Sequence, residues 1–143
     1  MITTFGMLDV AKQEIEKSNI SNITLKEGLA ESLPFKDISF DMVVSRFAIH
    51  HFESPQICID EMNRVCKKGH VVGIIDLLSP NDTILSERYN HYEILRDLSQ
   101  IIAATKSERR EMMVKSDLST CFENAREIGI DLQKWIGYDR NGY

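Results

Sequence analysis

The chain has 143 residues, with 17 basic and 22 acidic side chains and a formal net charge of −5. Hydrophobic residues make up 43% of it, which is typical of a folded globular domain and argues against disorder, collagen or coiled coil. A pI near 5.4, with no run of like charges, also argues against nucleic acid or an anionic membrane as a partner.

Compartment and thiol chemistry follow from simple patterns. No stretch reaches the roughly 18 apolar residues of a membrane helix, and residues 1–5 lack the build of a signal peptide. The expected compartment is therefore the cytoplasm. Three cysteines (Cys58, Cys66 and Cys121) have no CxxC spacing, so we expect reduced, mostly buried thiols and not a zinc or redox site.

The first half of the chain predicts alternating helices and strands. Apolar residues at helical spacing predict the first helix, alternation predicts a short strand, and two compact β-branched runs predict parallel strands buried on both faces. Ser54 and Pro55 are typical of a helix start, and Gly69 is typical of a helix stop. The predicted elements are a helix over 5–18, strands over 23–27, 41–45 and 70–76, and a helix from Pro55 through a basic last turn at Lys67-Lys68.

The second half predicts mainly helices. A long polar helix is expected over 83–104, a second one over 117–128 with Ser116 as its cap, and a weakly alternating strand over 130–136. The charged run 106–110 is typical of a solvated helix start. With no internal repeat or linker, one α/β domain accounts for the whole pattern.

Candidate functional residues follow the predicted strands, because ligands of open parallel sheets bind beyond the carboxyl ends of strands. Three segments qualify: 28–31, 45–51 and 76–78. His50 and His51 suit general-base work, or equally one ring packs beside Phe52 while the other bonds a backbone carbonyl. A metal is disfavoured, since adjacent histidines project differently and no HExxH spacing occurs.

Two other groups of residues have both a functional and a structural interpretation, and the sequence favours the structural one. Carboxylates near strand ends can accept hydrogen bonds from a ribose or an amine, but as lone acids a solvated surface position is favoured. These acids are Glu27, Glu31 and Asp76. Aromatic and apolar residues at helical spacing favour a packed core over a substrate-binding face. They are Tyr89, Tyr92, Leu95 and Leu98.

Four stretches carry a family resemblance: Leu33-Pro34-Phe35, residues 40–52 with His50-His51-Phe52, residues 61–69, and the strand 71–76. Together they resemble class I S-adenosylmethionine-dependent methyltransferases, most of all the small-molecule branch related to ubiquinone/menaquinone C-methyltransferases. The resemblance implies a Rossmann-like α/β fold, N-terminally incomplete, with a mostly parallel sheet flanked by helices. It implies one partial domain over 1–143, with a cofactor-binding core over 1–78 and a mostly helical substrate or cap region over 79–143.

The resemblance also implies a function and a set of site residues. The expected reaction transfers a methyl group from S-adenosylmethionine to a small-molecule acceptor, without a metal. Leu29 and Ala30 would flank the adenine; Ser45, Arg46 and Phe47 would line the cofactor crevice; His50 and His51 would be optional bases; Tyr89, Tyr92 and Arg96 would contact the acceptor.

The sequence also departs from the family pattern. The glycine-rich turn and the ribose-binding acid of the family are missing, Leu29 stands where an adenine-binding acid is expected, and Gln100 stands where a histidine is expected. Two family strands would lie between the strands at 23–27 and 41–45. We therefore expect either direct pairing of those two strands, or closure of the exposed edge by a homodimer or strand exchange.

Two rival functions remain beside the enzyme. The first is a catalytically inactive methyltransferase remnant that pairs through its exposed sheet edge with itself or with a complete homologue. The second is a nicotinamide-dependent oxidoreductase, which is disfavoured because no GxGxxG occurs in the chain.

Overall fold

The computed structural model describes residues 5–127 and 129. Its elements, in chain order, are helix α1 (Phe5–Lys17), strand β1 (Phe40–Arg46), a 3-10 turn (Ile49–His51), helix α2 (Pro55–Val65), strand β2 (Cys66–Ile75), helix α3 (Thr83–Arg96) and helix α4 (Lys106–Lys115). The predicted first helix and the predicted strand, helix, strand unit are confirmed. Among the described helices, none has the length and apolar character needed to cross a membrane.

The two strands form a parallel sheet with one covered face. Val43 of β1 and Val72 and Ile74 of β2 pack against a core that includes Ile59 and Met62 of α2. On the opposite face, Met42, Val44, Val71 and Ile75 are 44–61% exposed. The expectation that both faces are buried is therefore wrong for the described residues, because a β-branched run is buried only where another element covers it.

Helix α2 starts where expected and stops earlier. Pro55 takes the first helical position, where its missing N–H costs nothing, although the Ser54 side chain makes no capping bond. The helix ends at Val65, because Cys66 already pairs with Phe40 of β1. The basic run before Gly69 therefore belongs to β2, where the pairing register is irregular and Gly69 has φ of +77°.

The strand predicted over 23–27 is absent. Its apolar residues Ile23 and Leu25 are 49% and 39% exposed, and no strand lies beside it in the described part of the chain. Alternation favours a strand only where a neighbour satisfies the backbone N–H and C=O groups. Direct pairing of this segment with β1 is therefore wrong as well.

Helix α3 is shorter than predicted because the chain turns back on it. The Asp82 side chain caps its start by accepting from the Leu85 N–H at 2.9 Å. After Arg96, residues 97–104 return along the helix. Leu95 and Leu98 are consequently 64% and 91% exposed, so their predicted place in a core is wrong.

The end of the chain also differs from the prediction. Thr105 and Glu108 form a reciprocal capping box that starts α4, while Ser116 is the residue that ends it. The Ser116 hydroxyl donates to Asp60 at 2.6 Å, which ties the end of α4 to α2. The helix predicted over 117–128 is absent from its described residues, and the predicted strand over 130–136 lies outside them. Of the cysteines, Cys58 and Cys66 are buried and Cys121 is exposed.

One buried amide helps to hold the returning chain at 97–104, and replacing it is expected to be costly. Asn90 accepts from the Ala103 N–H at 2.7 Å and donates to the Ala103 carbonyl at 3.2 Å. An Asn90→Leu variant leaves both backbone groups without these partners, so we expect the free energy of unfolding to fall by about 2 kcal/mol. Urea unfolding measures it, with the exposed-loop change Asn81→Leu as the control. Equal midpoints for the two variants would contradict this assignment.

Candidate functional site

The carboxyl ends of β1 and β2 bring a histidine and an aspartate together. Phe47 adopts left-handed backbone (φ +49°) just after β1 and turns the chain into the 3-10 turn that carries His50. Asp76 follows β2 directly. The Nδ1 atom of His50 bonds the Asp76 carboxylate, and the His50 backbone N–H donates to the other carboxylate oxygen at 3.2 Å. The crevice rule thus placed two interacting residues on one edge of the sheet.

The His50–Asp76 pair is buried, and its carboxylate orients the imidazole ring. The side chains of His50 and Asp76 are 5% and 2% exposed, so the surface position favoured for Asp76 is wrong. An ionised carboxylate only accepts hydrogen bonds, so Nδ1 of His50 donates to it, and in the neutral imidazole this tautomer places a lone pair on Nε2. Within the described part of the chain, nothing hydrogen-bonds that Nε2 atom. The arrangement is that of a general base oriented by a carboxylate.

Asp76 is kept ionised by the groups around it. Burial acts to raise its pKa, but the hydrogen bond and charge of His50, the Leu77 N–H at 2.9 Å and the charge of Arg109 outweigh burial. The pKa of Asp76 therefore lies below its usual value. Arg109 of α4 places Nη2 at 3.5 Å from the carboxylate. Burial lowers the pKa of Arg109 by more than Asp76 raises it.

His51 has a different environment from His50. Its Nδ1 lies 3.0 Å from the Ser99 carbonyl, and its ring centroid lies 4.0 Å from that of His50. This matches the alternative in which one ring bonds a backbone carbonyl.

A cleft at the end of β1 is the second feature of the site. The cleft has a volume of about 280 Å³ and lies between the loop at 30–33, the end of β1 and helix α2. Three of the five predicted cofactor residues line it: Ala30, Ser45 and Arg46. The other two, Leu29 and Phe47, are 59% and 42% exposed and do not.

Hydrogen bonds hold the wall of the cleft in place, and the Cys58 thiol in that wall is unreactive. Arg64 of α2 donates to the carbonyls of Leu33 and Phe35 at 3.1 and 2.9 Å, and Glu61 accepts from the Leu33 N–H at 2.7 Å. These bonds hold the loop against α2. Burial, together with the charge of Glu31, raises the pKa of Cys58 to about 12, so this cleft thiol stays protonated.

Two of the three predicted acceptor-binding residues meet on α3. Arg96 donates through Nε and Nη2 to Glu93 at 3.1 and 2.9 Å, and Tyr89 also bonds Glu93. Burial, with the charges of Glu93 and Asp76, raises the pKa of Tyr89, so its hydroxyl stays protonated beside the site. Tyr92 is 60% exposed and lies in a shallow depression with Glu87, so it stands apart from this group.

Three buried or mostly buried residues lie outside the set of site residues predicted from the sequence: Glu93, Gln100 and Arg109. Glu93 is 2% exposed, and its spacing from Tyr89 and Arg96 on one helix was a usable signal. Gln100 differs from other loop residues in the sequence only as a departure from the family pattern, yet it is 3% exposed. Arg109 sits in a charged run that favours solvent, and nothing local in the sequence marks it as buried.

Comparison with known proteins places the chain in a family. Residues 3–74 match the family described as "Methyltransferase domain". The chain is 34% identical over 139 residues to the uncharacterized methyltransferase YcgJ of Bacillus subtilis, which covers 95% of this chain and 51% of YcgJ. The crystal structure of YcgJ matches with a TM-score of 0.90 at 32% identity, over 94% of this chain and 58% of that one.

Two further relatives agree. The chain is 31% identical over 130 residues to the uncharacterized protein YafE of Escherichia coli, covering 91% of this chain and 63% of YafE. It is 27% identical over 141 residues to a demethylmenaquinone methyltransferase of Staphylococcus aureus, covering 92% of this chain and 58% of that protein. The chain therefore spans between 51% and 63% of the length of these relatives. Its matched family, these identities and its Rossmann-like fold show that the chain belongs to the class I S-adenosylmethionine-dependent methyltransferases.

Proposed function

We propose that this chain takes part in methyl transfer from S-adenosylmethionine to a small-molecule acceptor in the cytoplasm. The observation that carries the proposal is the buried His50–Asp76 pair next to the cleft. Ala48 and Ile49, which precede His50 directly, line that cleft. A proton acceptor and a binding pocket at the ends of parallel strands are what such a reaction needs.

The cleft suits one end of the cofactor. Its lining is mostly apolar and includes Ala30, Ala48, Phe52 and Met62, which suits a flat adenine ring. Ser45 and Arg46 are the polar residues of its lining. No carboxylate lines it among the described residues, so a partner for the ribose hydroxyls is missing there and we expect weak binding.

The His50–Asp76 pair and the polar residues of α3 have defined roles in the proposed reaction. The bound cofactor supplies an electrophilic methyl group on a sulfonium. Nε2 of His50 accepts the proton that the acceptor loses as it attacks, and Asp76 stabilises the imidazolium that results. Tyr89 and Arg96, held by Glu93, orient the acceptor. Positioning supplies most of the rate, because the displacement needs an in-line approach.

Filling the cleft is expected to abolish cofactor binding. In isothermal titration we expect S-adenosylhomocysteine to bind the wild-type chain with a dissociation constant below the millimolar range. We expect the Ala30→Phe variant to give no heat of binding, because the new ring occupies the cleft. The matched control is Leu29→Phe, since Leu29 is 59% exposed and outside the lining. Thermal melting checks that both variants fold. Equal binding by both variants would place the cofactor elsewhere.

A second candidate function is association through the uncovered sheet face. The exposed apolar side chains of Met42, Val44, Val71 and Ile75 lie together on that face, which favours a homodimer or a strand-exchanged oligomer. Light scattering at increasing concentration measures the mass. A defined dimer without S-adenosylhomocysteine binding favours this interaction role. A monomer that binds the ligand counts against it.

A further inference from the structure

Gln100 has a buried side chain whose hydrogen-bonding atoms are unused. The residue is 3% exposed, and neither its Nε2 nor its Oε1 has a partner in the described part of the chain. A buried amide without partners costs free energy, so native proteins almost always satisfy it. A bound molecule that supplies the missing partners would remove that cost.

Arg109 shows the same feature from a different element. Its Nε and Nη1 atoms are buried and have no hydrogen-bond partner among the described residues. Its Nη2 lies 3.5 Å from Asp76, which is an ion pair longer than a good hydrogen bond. The side chain keeps 12% exposure, so it is not sealed from solvent.

Both residues are linked to His50 through neighbouring groups. The loop that carries Gln100 is fastened to His50, because the N–H groups of Ile101 and Ile102 donate to the His50 carbonyl at 3.0 and 3.2 Å. Arg109 approaches the same histidine through Asp76, whose Oδ1 bonds the His50 ring and whose Oδ2 faces both Arg109 and the His50 backbone N–H. Two residues with unused donors are therefore connected to the proposed base, Gln100 through its loop and Arg109 through Asp76.

The chemistry of these donors selects the ligand. A guanidinium offers N–H donors and a positive charge and has no acceptor, while a carboxamide adds two more donors and, through Oε1, one acceptor. Asp76 already receives hydrogen bonds from His50 and Leu77, which leaves Arg109 only partly compensated. A negatively charged oxygen is the group that such donors bind best.

We propose that Arg109 and Gln100 bind an oxyanion of the methyl acceptor beside Nε2 of His50. This inference rests on the proposed function for the identity of the ligand as an acceptor, and on the unpaired buried atoms for its chemistry. The oxyanion is either a carboxylate substituent or a hydroxyl that ionises. In both cases Arg109 and Gln100 set which acceptors the chain takes.

The test uses three small probes on the wild-type chain. Benzoate stands for a carboxylate, 4-nitrophenol for an ionising hydroxyl, and benzyl alcohol for a neutral molecule of similar size. We expect benzoate to shift the ¹⁵N-detected side-chain signals of Arg109 and Gln100, and benzyl alcohol to leave them in place. We expect bound 4-nitrophenol to ionise at lower pH, which the absorbance of its phenolate measures directly. If benzoate binds more tightly than 4-nitrophenol, the oxyanion is a carboxylate, and if 4-nitrophenol binds more tightly, it is an ionised hydroxyl.

Matched variants assign the binding to these residues. Arg109→Met and Gln100→Leu are each expected to weaken benzoate binding about tenfold or more. The controls are Arg110→Met, because Arg110 is an exposed neighbour paired with Glu123, and Gln13→Leu on the exposed face of α1. Equal losses in variants and controls would overturn the proposal.

Titration of the wild-type chain with the three probes tests the oxyanion subsite even if a variant fails to fold. Absence of benzoate and nitrophenolate binding, or equal binding of benzyl alcohol, would overturn the oxyanion subsite. S-adenosylhomocysteine titration separates this from the proposed function. If S-adenosylhomocysteine binds and no oxyanion does, the subsite is wrong and the methyl-transfer role stands. If benzoate binds through Arg109 and S-adenosylhomocysteine does not, the subsite stands and the methyl-transfer role is wrong.

Discussion

Replacing Asp76 with asparagine is expected to lower the free energy of unfolding by about 3 kcal/mol. The Asp76 side chain is 2% exposed and is shared by His50, Arg109 and the Leu77 N–H. Removing its charge leaves Arg109 buried without a counter-ion, which costs more than the lost hydrogen bonds alone. Urea unfolding at neutral pH measures the change. The control is Asp41→Asn, because Asp41 is 71% exposed and pairs with Lys67 at the surface.

The same residue predicts a pH dependence with a defined sign. The pKa of Asp76 in the folded chain lies below its usual value of 3.8, so the unfolded chain takes up the proton first as the pH falls. The stability contributed by Asp76 is therefore complete above that value and is lost as the pH falls through the lower, folded-state pKa. The gap between the wild type and Asp76→Asn should narrow below about pH 4. A constant gap at every pH would show that the carboxylate charge is not what stabilises the site.

Replacing His50 with glutamine is expected to lower the rate of methyl transfer by about 100-fold or more. The glutamine amide nitrogen takes the place of Nε2 and cannot accept the proton, and thermal melting checks that the fold tolerates loss of the bond between Nδ1 and Asp76. The measurement is transfer of a tritiated methyl group from S-adenosylmethionine to a panel of phenols, carboxylic acids and amines. S-adenosylhomocysteine affinity should stay unchanged.

A matched histidine controls for surface effects. His91 is exposed on α3, in the shallow depression away from the His50–Asp76 pair. His91→Gln should transfer methyl groups at the wild-type rate. If His50→Gln loses no more activity than His91→Gln, His50 has a structural role only. Its burial would then serve to join the 3-10 turn to the end of β2 through the bond with Asp76.

Local chemistry was sufficient to predict the unit from β1 to β2. Compact β-branched runs, a proline at the first helical position and a connection of the right length specify strand, helix and strand without reference to the rest of the chain. The crevice rule then selected the segments after both strands as candidate ligand positions, and His50 and Asp76 of those segments bond each other. The environment of that pair was not predictable, because Arg109 reaches it from α4, 33 positions along the chain from Asp76.

Elements outside that unit depended on partners that a sequence pattern does not display. Residues 23–27 alternate like a strand but have no strand beside them in the described part of the chain, so the pattern alone does not form one. The apolar residues of 95–98 fit a longer helix, yet Asn90 binds the backbone of Ala103 and the chain reverses. The sequence alone determined the family, the β1–α2–β2 unit and the edge of the sheet where the site lies, because local periodicity and end signals act within a few residues. Tertiary structure decided which strands formed, where α3 ended and which charged side chains were buried, because burial and hydrogen-bond satisfaction depend on groups distant in the chain.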